Sequence, residues 1–103
     1  MKKRTKALDI SKKVKAAVWE RDGGCCIICG SPNAAPNAHY ISRAQGGLGV
    51  EQNVVTLCMD CHTAYDQSDK RPLYRCEIRD YLQRQYPDWD ESKLIYRKGI
   101  KNV

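Results

Sequence analysis

Two Cys-x-x-Cys pairs, Cys26–Cys29 and Cys58–Cys61, constrain this chain more than any other feature. Each pair presents two sulfurs from one short turn, and two such pairs a few tens of residues apart can close a tetrahedron around one zinc ion. Binding of that kind contributes directly to folding. The contribution matters here, because the chain has 103 residues, no Phe and 29% charged residues, which leaves a lean apolar core. A disulfide framework is the competing reading of the six cysteines. It needs an oxidising compartment, yet no apolar signal segment opens the chain and no stretch reads as a membrane span, so a reducing cytoplasm is expected. Cys25 abuts the first pair and could substitute for Cys26, but Cys26 keeps the two-residue spacing to Cys29. Cys76 reads as a buried small apolar residue.

The formal charge of +6 favours a polyanionic partner such as nucleic acid; the bland reading is a basic protein with no such partner. Residues 1–10 read as a basic arm, disordered at its start, and residues 11–103 as a single domain. Lys2, Lys3 and Arg4 in that arm would contact phosphates or merely solubilise the chain. Ser11 is placed to cap a helix reaching Asp22, with Ile10, Val14, Ala17 and Val18 at helical spacing and Trp19 in the core. Ser31 to Asn37 reads as a loop and His39-Tyr40-Ile41 as a short strand. Gly46, Gly47 and Gly49 mark a mobile loop before a second strand, Val54 to Leu57. A helix then begins near Cys61 and carries His62 and Asp66 four residues apart, on one face. Pro72 opens a further helix to about Tyr86, its inward stripe being Tyr74, Ile78, Tyr81, Leu82 and Gln85, with Arg75, Arg79 and Arg84 on other faces. Trp89, Leu94, Ile95 and Tyr96 are expected to pack a terminal element back, before a basic end with Arg97, Lys98 and Lys101.

Zinc does not account for the two histidines, which bracket Asn53. His39 followed by Tyr-Ile-Ser-Arg-Ala-Gln-Gly-Gly, then Asn53-Val-Val-Thr-Leu-Cys-x-x-Cys-His62, resembles the motif of the HNH endonucleases. More narrowly, it is similar to small phage and bacterial HNH proteins with a four-cysteine zinc site, over about Cys26 to Asp66. The resemblance implies an α+β fold: a small zinc-stabilised ββα-metal domain, treble-clef-like, with flanking helices. It implies a metal-dependent DNA endonuclease in which His39 is the general base and His62 a ligand of a catalytic Mg²⁺ or Mn²⁺. Asn53 would hold the loop and the orientation of His39, and Cys26, Cys29, Cys58 and Cys61 would hold the structural Zn²⁺. Arg43 would reach a phosphate or simply be solvated.

One position departs from the family pattern. The residue before the base is usually a metal-binding Asp or His, and here it is Ala38. Asp66 falls where some members have a second helix histidine and would partly compensate, giving an incomplete site that substrate phosphate completes. The same departure supports an alternative, a non-catalytic zinc-dependent module that grips nucleic acid. A thiol–disulfide redox role is a third reading, and it leaves the histidines and Asn53 unexplained. DNA is the expected partner, and the resemblance points to phage packaging or recombination proteins beside it, with the oligomeric state left open.

Overall fold

The computed structural model describes residues 6–96; Lys2, Lys3 and Arg4, expected as phosphate contacts, and the basic end with Arg97, Lys98 and Lys101 lie outside the described residues. Helix α1, Lys12–Arg21, starts where the Ser11 side chain accepts a hydrogen bond from the Val14 amide at 3.1 Å. It turns out of the helix at Gly23 and Gly24, both with left-handed φ. Val18 is fully buried, whereas Trp19 is 38% exposed and lies over Gly24. The expected core position of Trp19 is therefore corrected. The glycine turn folds back beneath the indole, so the ring covers backbone at the surface instead of entering the interior.

Strand β1, Ala34–His39, pairs antiparallel with strand β2, Val54–Cys58, in register Ala34↔Cys58, Ala35↔Leu57, Ala38↔Val55 and His39↔Val54. The expected loop from Ser31 to Asn37 is thus corrected, since its second half is strand. Ala-Ala-Pro-Asn has little strand preference of its own, and pairing with the wholly buried β2 imposes the conformation. Pro36 has no amide to donate, and it falls in the irregular step between Ala35 and Ala38, where the ladder needs none.

Helix α2, Met59–Gln67, follows β2 directly, and helix α3, Arg71–Gln85, carries Pro72 in its first turn. Ile78 and Leu82 of α3 are fully buried, with Tyr74 and Tyr81 packed beside them. Gln85 and Cys76 are exposed, which corrects both expectations of burial. The true inward stripe is only Ile78 and Leu82 flanked by tyrosines, and Cys76 sits off that line.

A buried charge pair joins the helices to the sheet. The Asp22 carboxylate, with no exposed side-chain surface, accepts from Arg21 Nε at 2.7 Å, the Thr56 amide at 2.9 Å and the Tyr81 hydroxyl at 2.6 Å. Arg21 also donates to the carbonyls of Glu51 and Val54 at 2.8 Å each. Every strong donor and acceptor of the pair is used, the condition under which a buried ion pair is tolerable.

The segment between the strands is not loose. It contains two 3-10 turns, Arg43–Gln45 and Glu51–Asn53, and Gly46, Gly47 and Gly49 are all buried. The Leu48 amide donates to Leu94 O and the Tyr96 amide to Gly46 O, each at 2.8 Å, around a Gly47↔Ile95 bridge. The expected mobile glycine loop is therefore a packed one. Its glycines serve close approach, since a Cβ on Gly47 would lie 1.7 Å from Ile41 O. The same contacts bear out the expected return of Leu94, Ile95 and Tyr96 onto the fold. No helix among the described residues is long and apolar enough to cross a membrane.

Candidate active site and metal centre

At one end of the sheet, Cys26, Cys29, Cys58 and Cys61 bring their sulfurs within 4.8 Å of one another. Tetrahedral zinc at a Zn–S distance near 2.3 Å requires sulfur separations of about 3.8 Å, and Cys29 and Cys58 are 3.6 Å apart. The Ile27 amide anchors the first pair to β2 through Thr56 O at 3.0 Å, and the Gly30 amide closes the turn on Cys26 O at 2.9 Å. Cys58 caps α2, its sulfur accepting from the Cys61 amide at 3.4 Å. Burial opposes ionisation of Cys26, but backbone amides of Cys29, Cys58 and Ile28 pointing at the sulfur outweigh it and bring the thiol down to about 7. Burial and the neighbouring thiols push Cys61 up. Four thiols so close cannot all ionise unaided, and a divalent cation at their centre removes the conflict. The donor set therefore suits a structural metal such as zinc. Cys25 stays outside the cluster, its sulfur near Asp22 O at 3.6 Å.

At the other end, a cavity of about 240 Å³ is lined by Asn37, His39, Ser42, Arg43, His62, Tyr65, Asp66 and Arg71. Four residues singled out in the sequence, His39, Arg43, His62 and Asp66, thus meet in one place. His39 arrives from the end of β1, and His62 and Asp66 from one face of α2. His39 is half-buried, and its Nε2 lies 2.9 Å from Leu8 O. Burial lowers its pKa below the usual histidine value, with the nearby charge of Arg43 acting in the same direction. Neutral imidazole is the form favoured there.

Asn53 does not line the cavity. It is fully buried, its Oδ1 accepting from the Ile41 amide at 2.8 Å and its Nδ2 donating to Ile41 O at 3.1 Å and Leu48 O at 2.9 Å. Its own carbonyl accepts from the Tyr40 amide at 2.7 Å. The side chain therefore staples Leu48 of the loop to Ile41, and the Asn53 carbonyl holds Tyr40, so both residues that follow His39 are fixed.

Ala38 is fully buried among Val55 and its neighbours and contributes nothing to the cavity. The residue that shares the His39 side of the strand is Asn37. Alternation along β1 is the signal for Asn37, two residues before His39 on the same side of the strand. Tyr65, whose hydroxyl donates to Tyr40 O at 2.6 Å, and Arg71, whose guanidinium lies 5.1 Å from the Tyr65 ring centre, come from sites no local pattern marks. Arg43 is paired with Asp9 at 2.6 Å, whereas Arg71 has no carboxylate partner among the described residues. A larger open groove of about 670 Å³ runs from the cysteine cluster to Asn37 and His62, which it shares with the cavity. Apart from the four cysteines, no three His, Cys, Asp or Glu side chains among the described residues converge closely enough to hold an ion.

Residues 26–68 match the family model of the HNH endonucleases. The chain is also 32% identical over 59 residues to anaredoxin of Nostoc sp. (strain PCC 7120 / SAG 25.82 / UTEX 2576), an alignment covering 56% of this chain and 78% of that protein. No solved structure matches. The chain belongs to the HNH endonuclease family, which suggests nuclease or nucleic-acid-binding activity, and its four cysteines are placed to bind a metal ion.

Proposed function

We propose that this chain is a metal-dependent DNA endonuclease that hydrolyses phosphodiester bonds, with His39 as general base and a structural zinc on the four cysteines. The observation that carries the reading is the convergence of His39, His62 and Asp66 on one cavity flanked by Arg43 and Arg71. Phosphodiester hydrolysis needs a proton acceptor for the attacking water, and a neutral, half-buried imidazole serves that purpose near neutral pH. His62 and Asp66 would hold a divalent ion, and one imidazole with one carboxylate suits Mg²⁺ or Mn²⁺ completed by water and substrate oxygen. Such an ion, when bound, supplies Lewis-acid stabilisation of the phosphate and the departing 3′ oxygen. Arg71 is the better phosphate contact of the two arginines, because Asp9 already engages Arg43. Asn53 keeps the backbone after His39 fixed and takes no part in the chemistry.

The test is nicking of supercoiled plasmid by the zinc-loaded protein with Mg²⁺, Mn²⁺ or Ni²⁺. The expected result is conversion to open circles by the parent and its loss in His39→Ala. A second reading, a nucleic-acid-binding module without cleavage, is favoured by the burial of Ala38, which leaves only two ligands beside the base. Retained DNA binding with no nicking under any of the three metals would establish that reading instead.

A further inference from the structure

Residues before α1 reach across the fold to the base. The Gly49 amide donates to Ala7 O at 3.0 Å, the Leu8 side chain is 2% exposed, and Asp9 pairs with Arg43 at the cavity rim. Three separate contacts thus seat one short segment, which lies outside the family-matched residues. Between them the Leu8 carbonyl faces His39 Nε2 at 2.9 Å. A carbonyl can only accept, so this contact requires the proton on Nε2. In a neutral imidazole one nitrogen carries the proton and the other a lone pair, and Nδ1 is then the basic nitrogen.

We infer that Ala7 to Asp9 form a positioning strap whose Leu8 carbonyl sets the tautomer and orientation of His39, making Nδ1 the nitrogen that accepts the proton. The inference deepens the nuclease reading and rests on it for its catalytic consequence; the tautomer itself does not depend on cleavage. Arg43 has a corresponding part. Its ion pair with Asp9 latches the strap, which explains why a cavity arginine is committed to a carboxylate of its own chain. The strap has a sensitive spot at Gly49, where an added Cβ would lie 2.1 Å from Asp9 O and 3.0 Å from Leu8 O. Both are backbone atoms, so the strap itself must move.

The experiment uses the full zinc-loaded chain labelled with ¹⁵N-histidine, whose ring nitrogens are read by long-range ¹H–¹⁵N correlation at pH 7.5. His39 is expected in the Nε2–H form, and a predominant Nδ1–H form overturns the inference. Gly49→Ala should shift His39 toward a mixture of tautomers and slow nicking roughly ten- to a hundredfold, with zinc content retained. Leu8→Ala loosens the same strap without adding atoms and should act in the same direction. Leu8→Ala also decides the matter if Gly49→Ala does not fold. Either variant nicking at the parent rate with its tautomer changed overturns the strap's catalytic role and leaves the nuclease reading intact. A parent that holds Nε2–H but never nicks DNA supports the strap and defeats the nuclease reading.

Discussion

The two ends of the β-hairpin carry opposite kinds of site. At the Ala34↔Cys58 end, four ligands come from two short turns and close on themselves. At the His39↔Val54 end, the cavity draws on β1, the loop after it, α2, α3 and the strap before α1. Closed ligand sets suit structural metals, while open ones leave room for a substrate. The same sheet thus separates a closed cysteine cluster, suited to a structural metal, from an open cavity that on the proposed reading admits substrate.

The sharpest way to break this contrast is to damage the closed end. Cys58→Ala removes a ligand and the cap of α2 together, so zinc should be lost and the cooperative melt abolished, since structural zinc carries on the order of 10 kcal/mol in small domains. Full zinc content with unchanged melting would sink the assignment. Next, His39→Ala at the open end should lower cleavage by about a hundredfold while DNA binding and melting stay near those of the parent. His62→Ala should instead weaken divalent-metal affinity, and excess Mn²⁺ should restore part of its rate. Calorimetry that finds metal binding lost in His39→Ala and intact in His62→Ala would reverse the two roles.

A smaller effect separates Asn37 from Ala38. Asn37→Asp puts a carboxylate into the cavity and should tighten Mn²⁺ binding by about tenfold, the scale of one added ionic ligand contact. Ala38→Asp, which sequence position alone would favour as the repair, puts that carboxylate into the apolar interior and should destabilise the fold without tightening metal. Tighter metal in Ala38→Asp would mean the strand turns that side chain outward.

The smallest expected effect is on pH. His39 has its folded pKa lowered by burial, so the unfolded chain takes up its proton first as pH falls. The stability that His39 contributes is complete above the unfolded value of about 6.5 and declines as pH drops through the folded value. Urea unfolding of the parent and of His39→Ala at pH 7.5 and 5.5 should show the gap between them moving against the parent at the lower pH. A gap that moves the other way would show that the folded state favours the charged ring.

What the sequence makes legible follows the same contrast. Ligands of the closed end are written as local spacing, and so are β2 and the i, i+4 pair His62 and Asp66 on α2. The rest of the open end is assembled by long-range contacts that leave no local trace. Asn37 is a cavity residue only because β2 recruits a weak strand sequence, and Arg71 only because α3 packs back on α2. Cys76 is expected inside from its residue type alone, whereas the errors over Trp19 and Gln85 share another cause. A helical period marks a face, but how deep each position of that face lies depends on neighbours that the period does not describe.

The packed loop between the strands has a practical consequence. It is gripped from one side by the segment before α1, through Gly49 and Ala7, and from the other by Leu94, Ile95 and Tyr96. An expression fragment trimmed to residues 26–68 would keep all four sulfurs and both imidazoles, yet lose both grips. It should load zinc and still leave its histidine pocket ill-formed, so metal content would be a misleading measure of whether a shortened version works.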